Sequence, residues 1–83
     1  MTLRVLYFAW VRERIGIPDE EIETTAATVR AFLGELAERE ERYHRVFANP
    51  EALRVAVDQR LCDLDSPLAD ASEIAIFPPM TGG

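Results

Sequence analysis

The fold class the sequence predicts is α+β, with one main amphipathic helix lying across one face of a mixed sheet of four to five strands. Three observations predict it. Apolar side chains alternate with period two near both ends of the chain. Between them lies one long apolar stripe at helical spacing. The whole is 83 residues long, room for a single core with one helical layer on one sheet.

The elements follow in order. Leu3, Val5 and Tyr7 alternate with Arg4, Leu6 and Phe8, the pattern of a strand. The first three look inward, which leaves Leu6 and Phe8 as large apolar groups on the opposite face. Residues 10–16 (WVRERIG) suit one or two helical turns stopped by Gly16. Pro18 and the acids after it lead into a second strand at Glu20–Thr24, charged enough to be a sheet edge. Thr28 is placed as the N-cap of the main helix, whose stripe is Val29, Phe32, Leu33, Leu36 and Ala37. The stretch EREERYHRVFANP is polar apart from Tyr43, Val46 and Phe47, and is read as the charged end of that helix running to the break at Asn49-Pro50. Leu53, Val55 and Val57 resume alternation, residues 58–60 make a tight turn, and Leu61–Asp63 form a short strand. Turn chemistry around Ser66 and Pro67 separates it from a last strand, Glu73–Phe77, in which Ile74 and Ile76 share the inner face. Strand, strand, helix, strand, strand, strand at this size fits a β-grasp domain over residues 1–77, with residues 78–83 as an extended tail.

Composition excludes several functions. A formal charge of −6 disfavours binding to nucleic acid or to an anionic membrane, and it leaves any phosphorylated ligand to a partner. One cysteine, Cys62, and one histidine, His44, supply neither a disulfide nor a His/Cys metal set, so no bound metal or cofactor is expected. The opening MTLRVLYFAW lacks a basic leader and a cleavage site, so cytoplasmic residence is expected. All nine basic residues are arginine, which removes side-chain amines as conjugation or Schiff-base sites on this chain.

The ending, Pro78-Pro79-Met80-Thr81-Gly82-Gly83, carries the chemistry. Two prolines cannot donate to a sheet ladder, so the strand stops and the chain projects from it. Six extended residues reach about 20 Å, far enough to deliver a terminal carboxylate into another protein. Two glycines at the tip thread a channel too narrow for side chains. Conversion of that carboxylate to an acyl-adenylate with ATP would create a leaving group, which a sulfur nucleophile could displace to give a thiocarboxylate. No phosphate-cradling loop or nucleophile–base pair is visible in the chain, so the catalyst is expected elsewhere.

The segments LYFAWVRERIG (6–16), TVRAFLGEL (28–36), LRVAVDQ (53–59) and above all EIAIFPPMTGG (73–83) resemble the small subunit of molybdopterin synthase, a ubiquitin-like sulfur carrier, over the whole chain. The resemblance implies a β-grasp fold and a non-catalytic subunit whose Gly83 is adenylated by a ubiquitin-activating-type adenylyltransferase that uses ATP, then thiocarboxylated. It further implies that the tail enters the large synthase subunit and gives its sulfur to cyclic pyranopterin monophosphate. Two sulfurs per molybdopterin mean two loaded tails per product, and the resemblance implies an assembly of two small and two large subunits. If the first and last strands are neighbours, Leu6, Phe8, Ala75 and Phe77 form one apolar docking patch at the root of the tail, although alternation alone leaves ordinary core packing open. Arg12 matches a family arginine near the partner interface, which implies a contact to the synthase or to the activating enzyme.

The chain departs from the family pattern at Asp58-Gln59 in the hairpin turn and at Ala71-Ser72 before the last strand, where either the turn is different here or strain is carried at Ala71. Trp10 is either a rim anchor or local packing, Cys62 a small hydrophobe, His44 a solvated residue, and Asp19–Glu23 and Glu38–Glu41 solvated faces. Other functions fit the same ending. They are a carrier for thiamine, tRNA thiolation or cysteine synthesis, a ubiquitin-like modifier joined through Gly83 to lysines of other proteins, and an interaction domain with an inert tail.

Overall fold

A computed structural model describes residues 1–79. In chain order the elements are β1 (Thr2–Tyr7), α1 (Ala9–Ile15), β2 (Asp19–Glu23), α2 (Val29–Ala37), α3 (Glu41–Phe47), a 3₁₀ turn (Pro50–Ala52), β3 (Arg54–Val57), β4 (Arg60–Cys62) and β5 (Glu73–Phe77). The strands form one sheet in the order β2-β1-β5-β3-β4. β1 and β5 run parallel, and every other pair is antiparallel. The first and last strands are therefore central neighbours, and the charged β2 is an edge, which gives the β-grasp arrangement.

The core lies between one sheet face and the helices. Leu3, Val5 and Tyr7 of β1, Val55 of β3 and Ile74 and Ile76 of β5 are buried against Val29, Phe32, Leu33 and Leu36 of α2 and Val11 and Ile15 of α1. Each large aliphatic group so removed from water contributes roughly 1.5–3 kcal/mol before entropy is charged. The helix ends follow their sequence signals. The Thr28 hydroxyl accepts from the Ala31 amide at 3.2 Å, and α1 stops at Gly16, whose φ of 95° needs glycine and whose amide donates to the Arg12 carbonyl at 2.8 Å. Among the described residues no helix is long and apolar enough to cross a membrane.

Two expectations are corrected, and one open alternative, at the turn before β5, is decided. The segment read as the charged end of the main helix is a separate helix, since α2 ends at Ala37 and α3 buries Tyr43, Val46 and Phe47. Three apolar residues in a seven-residue helix make no stripe long enough to stand out in sequence, and tertiary packing supplies the rest. The Phe47 ring lies 6.3 Å from that of Tyr7 and 6.4 Å from that of Tyr43.

The acidic run 19–23 is not uniformly solvated. Glu20 sits opposite Val5 on β1, on the core side. Its carboxylate accepts from the hydroxyls of Tyr7 (2.8 Å) and Tyr43 (2.7 Å) and from the Arg39 guanidinium (3.3 Å). Desolvation alone would raise the Glu20 pKa, but the hydrogen bonds from Tyr43 and Tyr7 and the charge of Arg39 outweigh it and hold the carboxyl below its ordinary value. Burial and the adjacent carboxylate push both tyrosine hydroxyls well above theirs.

The turn before β5 places positive φ at Asp70 (63°) and not at Ala71. Aspartate tolerates the left-handed region better than alanine, so the turn is different here and no strain is carried at Ala71. In the β3–β4 hairpin Asp58 and Gln59 have φ of 48° and 70°, the mirror-image turn that a two-residue hairpin loop favours. The Asp58 carboxylate accepts from the amides of Ser72 and Glu73, both at 3.0 Å, and so fixes the start of β5.

Candidate docking face and tail root

Strand register decides which side chains share the face turned away from the helices. Leu6 is opposite Ala75, Ala75 is opposite Ala56, and Ala56 is opposite Leu61. One apolar row therefore crosses β1, β5, β3 and β4. Toward the tail, Phe77 stands opposite Arg54, and the Phe8 amide donates to the Ile76 carbonyl at 3.1 Å, which holds Phe8 beside the end of β5. Pro78 and Pro79 follow directly and are half-buried.

These residues are not core. Phe8 is 46% exposed and Leu61 74%, and Leu6, Ala56 and Phe77 are half-buried. Ala75 is only 9% exposed, yet it lies outside the core cluster. Its short side chain lies between Leu6 and Ala56 and is shielded by its neighbours on the face. Leu6, Phe8, Ala75 and Phe77 are thus brought together at the tail root, as the sequence reading expected of neighbouring strands. Ala56 and Leu61 were missed. Their signal was the two-residue turn at Asp58-Gln59, which sets Val57 opposite Arg60 and carries Leu61 to Ala56.

The other half of the same face is polar. Arg4 lies opposite Glu21 on one side and Glu73 on the other, and its guanidinium is 2.9 Å from Asp19 and 3.9 Å from Glu21. The apolar surface is confined to the end from which the tail departs. A polar rim beside an apolar centre is the anatomy of a protein interface.

The chain leaves β1 through a strained residue. Ala9 has φ of 53°, which costs a non-glycine residue about 1 kcal/mol, and the bend turns the chain from Phe8 directly into α1. Trp10, in the first turn, is 37% exposed, and the Arg14 guanidinium lies 5.2 Å from its ring centroid. Trp10 is thus a partly open aromatic at the rim. Arg12 lines a shallow hollow with Glu13, Gly16, Ile17 and Pro18, on the α1 side of the tail root. Met80, Thr81, Gly82 and Gly83, the tail residues expected to carry the chemistry, lie outside the described residues.

Cys62 is half-buried against the core on β4, and His44 is exposed on α3, with Nδ1 3.3 Å from the Ala37 carbonyl. His44 Nδ1 contacts the Ala37 carbonyl and Cys62 Sγ the Val55 carbonyl, and among the described residues the two side chains share no hydrogen bond. Among the described residues no group of three or more His, Cys, Asp or Glu side chains could hold a metal ion. The geometry offers an apolar face beside the point where the chain leaves β5, a surface suited to contact with another protein.

Known proteins similar to this chain match it over nearly its full length. A model of the ThiS family matches residues 5–83. The molybdopterin synthase sulfur carrier subunit of Escherichia coli K12 is 38% identical over 81 residues, covering 98% of this chain and 99% of that protein. The protein of the same name from Mycobacterium tuberculosis is 32% identical over 83 residues, covering 98% and 96%. Among solved structures, SAMP1 from Haloferax volcanii superposes with a TM-score of 0.77 at 25% identity and covers all of both chains.

Proposed function

The chain belongs to the ThiS family, and from that premise we propose that it is the sulfur carrier subunit of a molybdopterin synthase, acting through a thiocarboxylate at Gly83. The apolar face formed by Leu6, Phe8, Ala75 and Phe77, beside Pro78-Pro79, carries this reading. It gives a large subunit a surface to grip at the point from which the tail departs. Relatives matched over nearly their full length and named as molybdopterin synthase sulfur carrier subunits support the pathway.

The proposed chemistry balances without a catalytic group from this chain. In the activating adenylyltransferase, a carboxylate oxygen of Gly83 attacks the α-phosphorus of ATP and pyrophosphate leaves. A sulfur nucleophile at the oxidation level of hydrosulfide then attacks the acyl carbon, and AMP leaves with the former carboxylate oxygen. In the large subunit the thiocarboxylate sulfur bonds to a side-chain carbon of cyclic pyranopterin monophosphate as a carbon–oxygen bond there breaks, the oxygen leaving on the opened phosphate or as water. Water at the acyl carbon then releases that sulfur and restores the carboxylate. The carrier's part is delivery: docking holds the reacting carbon in place, and glycines at the tip pass through a narrow channel. The acid excess of the carrier leaves the phosphorylated substrate to a basic partner.

A second reading comes from the likeness to SAMP1, described as a small archaeal modifier protein. A modifier would use the same adenylate and pass its acyl group to a lysine of a target. Reconstitution with ATP, the activating enzyme, a sulfur donor, the large subunit and cyclic pyranopterin monophosphate separates the two. The expected result is molybdopterin with two loaded carriers consumed per product. Isopeptide conjugates with no molybdopterin would favour the modifier.

A further inference from the structure

We propose that Arg54 is the charged anchor of the docking face and that the large subunit meets it with a carboxylate. This rests on the reading of the outward face as the surface that receives the large subunit.

The chain has fifteen acidic residues for nine arginines, so most arginines find a carboxylate. Arg4, Arg30, Arg39, Arg42 and Arg45 each have one within 4 Å. Arg12, Arg14, Arg54 and Arg60 have none among the described residues; of these Arg54 alone lies in the outward row of β3, and its guanidinium donates to the carbonyl of Leu53, the residue just before that strand, at 3.1 Å. It stands cross-strand from Phe77, the residue before the tail. Its counterpart on the polar half, Arg4, is already neutralised by Asp19 and Glu21. Arg54 is the arginine on the apolar half of the face with no carboxylate within 4 Å, and the acids Glu51, Asp63 and Asp65 line one hollow with it.

A partner seated on Leu6, Ala75 and Phe77 strips water from that guanidinium. An arginine desolvated without an acceptor opposes binding, so the partner must provide one. A carboxylate matches the planar fork with two parallel hydrogen bonds. Net charge of −6 calls for a partner that is basic overall, so this carboxylate is a local exception. It acts as a register key. A docking pose displaced by a few ångströms would set Arg54 against basic ground and be rejected, and the tail would enter only from the correct pose.

The test measures affinity of the full-length chain for the large subunit of the same cell. Arg54→Glu is expected to weaken binding about 100-fold and Arg54→Ala about tenfold. Arg60→Glu carries the same net charge as Arg54→Glu, but Arg60 lies at the hairpin end of the sheet, opposite Val57. It is expected to stay within about threefold of the parent. Arg54→Lys, which keeps the charge and loses the fork, is expected between parent and Arg54→Ala. Equal effects of Arg54→Glu and Arg60→Glu, with Phe77→Ala weakened more than about fivefold, would overturn the role of Arg54 alone. No change in either Phe77→Ala or Arg54→Glu would overturn the docking face itself, and this proposal with it.

Discussion

Removal of Gly82 and Gly83 is expected to abolish sulfur transfer while the thermal unfolding midpoint stays where it was. Among the described residues the core cluster runs from Leu3 to Ile76 and β5 ends at Phe77, and neither terminal glycine has a side chain for a core to bury. The reaction draws everything from them. Deleting Gly83 alone leaves a carboxylate at Gly82, but retracts it by about 3.4 Å along an extended chain. A misplacement of about 1 Å can cost roughly 100-fold when reacting atoms must be held in line, so the single deletion is expected to lose transfer as well. Single-turnover assays of both variants, with unfolding followed in parallel, make the measurement. Transfer at the parent rate by either variant would overturn the assignment of the acyl group.

Glu20→Ala is expected to destabilise the fold by about 3 kcal/mol, the largest effect of any single carboxylate in the chain. Hydrogen bonds to a charged acceptor contribute about 1.5–3 kcal/mol each, and a buried hydroxyl left without a partner adds its desolvation cost. Tyr7 and Tyr43 are both buried, and both hydroxyls point at this carboxylate. Its side chain is 18% exposed, so solvent screens little of the interaction. Glu20→Gln keeps an acceptor without the charge and is expected to lose about half as much.

The pH dependence has a definite sign. The folded-state pKa of Glu20 is depressed, so its contribution is fully present above the unfolded value of about 4.5 and is lost as pH falls through the folded value. Chemical denaturation of parent and Glu20→Gln should therefore show a gap at pH 7 that narrows as pH falls below the ordinary value of 4.5 and closes once Glu20 is protonated in the folded state. A gap that stayed constant into acid would contradict the role given to the charge.

Much of this was legible before any coordinates. The alternation of Leu3, Val5 and Tyr7 named the inner face of β1, and the stripe from Val29 to Leu36 with its Thr28 cap named α2, because burial on one face leaves a period that survives in sequence. The tail-root patch followed once β1 and β5 were taken as neighbours. α3 was hidden because its three buried residues sit in a polar frame and owe their burial to Tyr7 and α2. Glu20 was hidden for a related reason. An acid among acids gives no local sign that two distant tyrosines point at it. Leu61 was within reach, but only by counting register across the Asp58-Gln59 turn. That Arg54 pairs with no carboxylate had no sequence signal at all, since it is a statement about where carboxylates are not.

The central claim is that this chain carries sulfur on its last residue, and intact mass tests it most directly. The parent and a Gly83-deleted control are incubated with ATP, the activating adenylyltransferase of the same cell, and either hydrosulfide or a persulfide donor together with a thiol that reduces the acyl disulfide. The expected result is a gain equal to the replacement of one oxygen by sulfur, in the parent alone. An unchanged parent mass, with the adenylyltransferase shown competent on another carrier, would contradict it.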